Sequence, residues 1–222
     1  MREKLREEFE DRTWAHGGRN PRSGRGSNMR WTQGIRTALP QIFEDYKVKT
    51  FLDAPCGDWF WMQHVDLSGV TYIGGDISKS VVNDITKEHA RPGVKFLHLD
   101  VTSDKLPKAD MMMCRDCLFH LSFEMRWEFY KNFVKSNIPY LLSTVNYNAE
   151  NKDLSGPGWE PYNPFLPPFE IGAPLQVVQE RGRQALHEDW RETVAHPKAE
   201  TFRSMAIWGR DQIVDLVANK KD

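Results

Sequence analysis

Asp116 and His120 stand four residues apart, directly after the apolar run Met111-Met112-Met113-Cys114. At that spacing the two share one face if a helix begins there. Asp116 can then orient the imidazole, or either group can act as a general base. Capping of a helix by Asp116 and a packed His120 are the plain alternative. Upstream, three further acidic residues close apolar runs: Asp53 after Thr50-Phe51-Leu52, Asp76 after Val70 to Gly75, and Asp100 after Val94 to Leu99. Asp53 opens the turn Asp53-Ala54-Pro55-Cys56-Gly57-Asp58 and is placed to meet an ammonium or amide donor. Gly57 lets the backbone approach a ligand where any Cβ would intrude. Asp76 lies about 20 residues beyond Gly57, the separation at which an acidic residue meets a ribose diol in nucleotide-binding α/β folds. Cys114 and Cys117 form a C-x-x-C which, with Cys56 and His120, is nominally a zinc donor set. The pair begins inside a strand and its positions are already needed by the ligand crevice, so no metal is expected. Redox chemistry lacks a thioredoxin-like context.

These groups meet only if the runs before them are strands of one sheet. An apolar run ending in an acidic residue, a Pro/Gly turn and an aromatic segment is how a buried parallel strand hands over to a crossover helix. The carboxyl edge of such a sheet is where ligands of open α/β folds bind. Strands are expected at 50–53, 70–77, 94–101, 111–114 and 139–145, with 175–179 and 201–208 as the last two. A short helix is expected at 60–65 and a longer one at 78–89, ended by Pro92-Gly93. Another starts near Ser122, where Phe123, Trp127, Tyr130 and Val134 form an apolar stripe, and the last spans 211–220. Ser27 reads as the N-cap of a helix running to about residue 43. Its buried face is Ile35, Leu39 and Ile42, with Gly34 and Pro40 weakening it. Residues 2–15 read as a short surface helix docking by Leu5 and Phe9, with Trp14 a further apolar position. Residues 180–200 read as helix and loop.

Composition narrows the function classes. The chain has 222 residues, a formal net charge of -1 and 40% hydrophobic residues, which suits one α/β domain and argues against general nucleic-acid coating. No stretch approaches the roughly 18 apolar residues of a membrane span. The first residues lack the apolar centre of a signal peptide. Cytoplasmic residence with reduced cysteines is therefore expected. Residues 1–45 read as an N-terminal arm and lid, and 46–222 as the ligand-binding domain. From Arg12 to Phe43 there is no Asp or Glu, while Arg12, Arg19, Arg22, Arg25, Arg30 and Arg36 accumulate. That stretch is either a solvated arm or a lid bringing guanidinium groups to an anionic ligand. Residues 146–174, rich in Asn, Gly, Pro and aromatics, are too long for a passive connection.

Taken together, Asp-Ala-Pro-Cys-Gly-Asp at 53–58, Gly-Gly-Asp-Ile at 74–77 and Cys-Arg-Asp-Cys-Leu-Phe-His-Leu at 114–121 resemble one bacterial and phage family of class I S-adenosylmethionine (SAM) dependent methyltransferases. The resemblance covers roughly residues 25–145. Pro55 and Trp59 stand where the usual motif has its first and third glycines. It implies a Rossmann-like sandwich: a mostly parallel seven-stranded sheet with an antiparallel last strand and helices on both faces. It implies SAM as cofactor and S-adenosylhomocysteine (SAH) as product. The implied cofactor residues are Asp53, Ala54, Pro55, Cys56, Gly57, Asp76, Ile77 and Arg115, with Asp100 and Val101 facing the adenine. The methyl group would point to the end of the fourth strand, making Asp116 and His120 the implied catalytic pair. Methyl transfer then needs the nucleophile held in line at roughly 3–3.5 Å and its proton removed. DNA bases are unlike the acceptor, because neither the Asn/Asp-Pro-Pro-aromatic tetrapeptide nor a Pro-Cys nucleophile stands after the fourth strand. An RNA or nucleotide acceptor survives. The expected acceptor is a small anionic molecule (a phosphorylated sugar, a nucleotide or a glycan precursor) met by Arg25 and Arg30 and stacked by Trp159 or Tyr162. The alternatives are a non-catalytic SAM-fold module binding RNA or a partner, and an NAD-dependent oxidoreductase.

Overall fold

Phe51 and Leu52 are neighbours in β1 (Thr50–Asp53), yet they pack into different cores. A strand sends successive side chains to opposite faces, and one covered on both sides must be apolar throughout. Met111, Met112 and Met113 of β4 (Met111–Cys114) alternate in the same way. The computed structural model describes residues 2–11, 21–147, 150–180 and 203–220. Five further strands complete one sheet: β2 (Thr71–Asp76), β3 (Val94–His98), β5 (Tyr140–Asn146), β6 (Gln176–Gln179) and β7 (Arg203–Gly209). Their order is β3-β2-β1-β4-β5-β7-β6. β1 to β5 are parallel, and β7 runs antiparallel to both β5 and β6. This is the expected mostly parallel seven-stranded sandwich.

Helices cover both faces. α2 (Gln33–Asp45) and α3 (Lys79–His89) pack over the core of Phe51, Tyr72 and Met113. α4 (Phe123–Ser136) and α5 (Arg210–Ala218) pack over that of Leu52, Met112 and Trp208. The Ser78 and Ser122 hydroxyls cap α3 and α4, accepting from the Val81 and Met125 amides. Phe133 of α4 is fully buried in the second core. Phe133→Ala is expected to cost ~3–5 kcal/mol of unfolding free energy, read as a fall in the urea midpoint at unchanged slope.

Ser27 does not start a helix. It ends a 3-10 turn, Arg25–Ser27, and α2 begins six residues later behind Thr32. The Asn28 side chain explains the delay: it accepts from the Arg30 and Trp31 amides, giving the backbone a local partner in place of the helix ladder. Residues 60–65 hold only a 3-10 turn, Met62–His64. β3 stops at His98, two residues before Asp100. The expected helix and loop at 180–200, Trp14, Arg12 and Arg19 lie outside the described residues, Glu180 excepted. Among the described residues no helix is long and apolar enough to cross a membrane.

The chain leaves β1 for β2 and β3 on one side and then returns for β4 and β5 on the other. The two connections part at the carboxyl ends of β1 and β4, which opens a crevice at that switch point.

Candidate active site

A cavity of about 300 Å³ occupies that crevice. Parallel register brings to its wall Asp53 and the Pro55–Gly57 turn after β1, Asp76 and Ile77 at β2, Asp100 and Val101 after β3, and Arg115, Asp116 and His120 after β4. Its cover is N-terminal. Residues 22–27 lie across it, and Leu5, Arg6 and Phe9 of α1 (Arg2–Asp11) close it beside them.

Asp53 is 1% exposed. Its Oδ2 accepts from the Tyr72 hydroxyl at 2.7 Å, while Oδ1 is buried with no partner among the described residues. Burial pushes this carboxyl up to about 7, against the Tyr72 hydrogen bond and the Arg115 charge, with Asp76 adding to the rise. Asp76 is also buried and also raised by burial, but the Ser78 and Gly57 amides donate to its two oxygens at 3.0 and 2.9 Å. Each oxygen keeps a lone pair for a further donor. Asp100 accepts from the Thr102 amide and hydroxyl on one oxygen and from Arg6 at 3.2 Å on the other. Gly57 has φ +57°, and a Cβ there would lie 2.8 Å from the Ser23 Cβ. The close approach that Gly57 permits is thus to the covering arm.

At the end of β4 the backbone turns through Asp116 at φ +55°, and the Asp116 amide donates to the Thr144 hydroxyl at 2.8 Å. Burial alone would raise the Asp116 carboxyl, but the guanidinium groups of Arg115 and Arg203, with His120, hold it below the usual range. It is a permanent anion and a poor proton acceptor. His120 sits on the 3-10 turn Leu118–His120, not on a helix. Its Nδ1 lies 2.7 Å from the Gly158 carbonyl, so that nitrogen carries the proton. In its neutral form the ring presents Nε2 as its basic atom. The ring of Phe9 meets it edge-on at 5.4 Å.

Several expected positions fall elsewhere. Ala54 is fully buried under Gly75 and does not line the cavity. Arg30 is exposed and lies off the cavity, as does Trp159 at 62% exposure. Tyr162 is 1% exposed and its hydroxyl pairs with that of Tyr130, which leaves no ring face for a ligand. No described residue of 146–174 lines the cavity. That segment instead joins the core under α4 and α5 through Tyr147, Tyr162, Phe169 and Ile171 and braces the His120 turn: the Glu160 amide donates to the Phe119 carbonyl at 2.9 Å. Arg115 lines the cavity, but its branches are taken by Glu180, Asp116 and the Gly26 carbonyl. Burial pushes the Cys56 and Cys114 thiols well above their ordinary range, which keeps them neutral and poor metal ligands.

Three contributors were not legible in the sequence. α1 reads as a surface helix, but its Leu5, Arg6 and Phe9 face the cavity. Glu180 and Arg203 pair with Arg115 and Asp116 from far along the chain. Arg126 is fully buried among Phe123, Tyr162 and Phe169, and its Nε donates to the Leu118 carbonyl at 2.7 Å, fixing the turn that carries His120. Its place in the apolar stripe of α4 concealed it.

No family model matches this sequence, and no curated protein matches it. Solved structures match its fold. Magnesium protoporphyrin IX methyltransferase from Synechocystis with bound SAM is 12% identical with TM-score 0.56, over 93% of this chain and 95% of that one. The 1,6-didemethyltoxoflavin-N1-methyltransferase of Burkholderia thailandensis, with bound 1,6-didemethyltoxoflavin and SAH, is 13% identical with TM-score 0.56, over 94% and 88%. A SAM-dependent methyltransferase from Clostridium acetobutylicum is 10% identical with TM-score 0.55, over 79% and 90%. At these identities the likeness shows a fold shared with class I SAM-dependent methyltransferases.

Proposed function

We propose that this chain is a SAM-dependent methyltransferase acting on an oxygen or nitrogen of a small acceptor. The observation that carries the reading is the Oδ1 of Asp53, a carboxylate oxygen buried on the cavity wall with no partner among the described residues. An unpaired buried anion is costly, and a ligand ammonium such as that of SAM relieves the cost directly. The charge around Gly57 supports a cationic ligand: Asp53, Asp58 and Asp76 all line the cavity at the turn where a dinucleotide would place its diphosphate. That disfavours NAD. The spare lone pairs of Asp76 suit a ribose diol, and Asp100 with Val101 suits an adenine.

When bound, SAM supplies an electrophilic methyl carbon on a sulfonium. His120 would take the acceptor's proton at Nε2, with Nδ1–H fixed on Gly158. Asp116, kept charged by its two arginines, would favour the imidazolium so formed. Phe9, Phe119 and Leu121 beside His120 exclude water from that end of the cavity.

The anionic character of the acceptor now rests on Arg25 alone. Arg22 lines the cavity but is paired with Asp84 at 3.1 Å and Ser80 at 2.6 Å. Arg25 lies over Trp31 at 5.9 Å and has no carboxylate partner among the described residues. A panel of phosphorylated, carboxylated and neutral acceptors, assayed for methyl transfer from SAM, tests the proposal. Arg25→Ala is expected to raise the KM for the anionic acceptors about tenfold at low salt, with kcat held and the effect fading as salt screens the exposed pair. A best acceptor that is neutral, with KM indifferent to Arg25, refutes the anionic reading. Failure of every class to accept the methyl group refutes the enzyme.

A further inference from the structure

Four charged side chains close a ring at the carboxyl end of β4. Arg115 Nε donates to Glu180 Oε1 at 2.5 Å, and Arg203 Nε donates to Glu180 Oε2 at 2.6 Å. On the opposite side both guanidinium groups turn to Asp116 Oδ2, at 3.1 Å from Arg115 Nη1 and 2.7 Å from Arg203 Nη1. Glu180 is 1% exposed and Arg115 is 5% exposed. The ring is charge-neutral, so its arginines do not attract an anionic ligand by net charge. What they retain is directional donation. Each directs its remaining branch, Nη2, to the carbonyl of Gly26, at 2.8 Å from Arg115 and 3.4 Å from Arg203.

Gly26 belongs to the arm over the cavity, and its backbone is seated on the ring. A Cβ there would stand 2.9 Å from Asp116 Oδ2 and 3.0 Å from Arg203 Nη1. Two other fixings of the arm are open to solvent, Ser23 to Asp58 and Arg22 to an exposed Asp84, while Arg22 also donates to the part-buried Ser80 hydroxyl at 2.6 Å. Exposed pairs of that kind contribute little and are screened by salt, whereas charge-assisted bonds from a buried guanidinium are strong and directional. The same Asp116 oxygen that completes the ring belongs to the anion beside His120. Opening the arm removes the Gly26 carbonyl from both arginines, and any shift of the ring moves the Asp116 charge.

We propose that Glu180 and Arg203 are positioning residues, whose ring with Arg115 and Asp116 latches residues 21–27 over the cavity and couples arm closure to the placement of Asp116 beside His120. Ligand exchange then requires the Gly26 carbonyl to leave its two donors. The identity of the exchanging ligand rests on the methyltransferase reading. The latch does not.

Hydrogen exchange on the ligand-free protein tests the latch without any assay of activity. The reporter amides are those of Gly24 and Ser27, bonded to the Pro21 and Gly24 carbonyls; the controls are those of Tyr72 and Asp110, bonded to the Gly93 and Thr50 carbonyls at the amino end of the sheet. Two variants disturb the latch from opposite sides. Gly26→Ala pushes the arm off the ring, and Arg203→Lys keeps the charge but loses the branch to Gly26. Both are expected to speed exchange at the arm amides tenfold or more while leaving the sheet controls unchanged. With SAH as ligand, both should raise its dissociation rate by a similar factor. A purely structural role for Arg203 would instead lower the melting temperature and speed arm and sheet exchange together. Arm protection equal to wild type in both variants overturns the latch. If SAH fails to bind the wild type, the methyltransferase reading falls, and the arm amides still decide the latch.

Discussion

Asp53→Asn should raise the melting temperature of the ligand-free protein at pH 7.5 and cut its affinity for SAH about 100-fold or more, the cost of leaving a buried ammonium without its charged partner. The two effects share one cause. Burial raises the Asp53 carboxyl from 3.8 to about 7, because the charged form loses its hydration there. A group whose folded pKa lies above its unfolded value contributes stability that is full below the unfolded pKa and lost as pH rises through the folded one. The wild-type melting temperature should therefore fall between about pH 4 and 7, the window set by those two values. The Asn variant keeps the partnership with Tyr72 and carries no charge, so its melting temperature should lack that fall. Binding runs the opposite way. SAH affinity of the wild type should strengthen as pH rises through about 7, where the carboxylate forms and meets the ammonium. Parallel melting and binding series across pH check both halves. A variant that binds SAH as tightly as wild type removes Asp53 from the site.

The second large effect concerns His120. His120→Ala is expected to lower kcat about 10²–10⁴-fold, the range for loss of a general base, while the Kd of SAH stays within about twofold. Asp116→Asn should behave differently. Asp116 is held charged inside the ion-pair ring, so its loss should destabilise the fold and loosen the arm as well as slow turnover. Single-turnover rates and SAH titrations on the two variants separate these outcomes. A kcat unchanged in His120→Ala assigns catalysis to positioning alone.

The sheet and the cavity wall were legible because the physics that builds them is local and repeated. Each parallel strand is a short, largely apolar run, and β1 and β2 end in a carboxylate that a buried strand interior would not tolerate, with Asp100 two residues and Asp116 two residues beyond the ends of β3 and β4. The run 111–114 was readable at both ends because the charged residues Asp110 and Arg115 bound it. Register then brings Asp53, Asp76 and Asp100 to one edge without further information. The arm illustrates where local signals stop. Its arginines announced that charge had to go somewhere, but not which acid would receive it: Arg22 went to Asp84 on α3, and Arg36 went to the Thr32 hydroxyl and the Met29 carbonyl.

Tertiary packing decided the rest. Tyr162 has the type and setting of a stacking residue, yet the Pro-rich segment that carries it packs into the core under α4, and Tyr130 and Phe169 take its surfaces. Glu180 and Arg203 are ordinary polar residues in sequence. Only the antiparallel pairing of β6 with β7, and of β7 with β5, carries them to Asp116. Asn28 diverted a helix start by a side-chain bond that competes with the helix ladder one turn at a time. Pairings of this kind join positions too far apart, or too subtly balanced, for periodicity to show.

The central claim is that the cavity takes an adenosyl amino acid whose cationic end meets Asp53. Isothermal titration of the wild-type protein with SAH and with NAD, at pH 7.5, tests it most directly. One saturable site for SAH per chain is expected, tighter at pH 7.5 than at pH 6, with no heat of binding from NAD. Saturable binding of NAD with no response to SAH would contradict it.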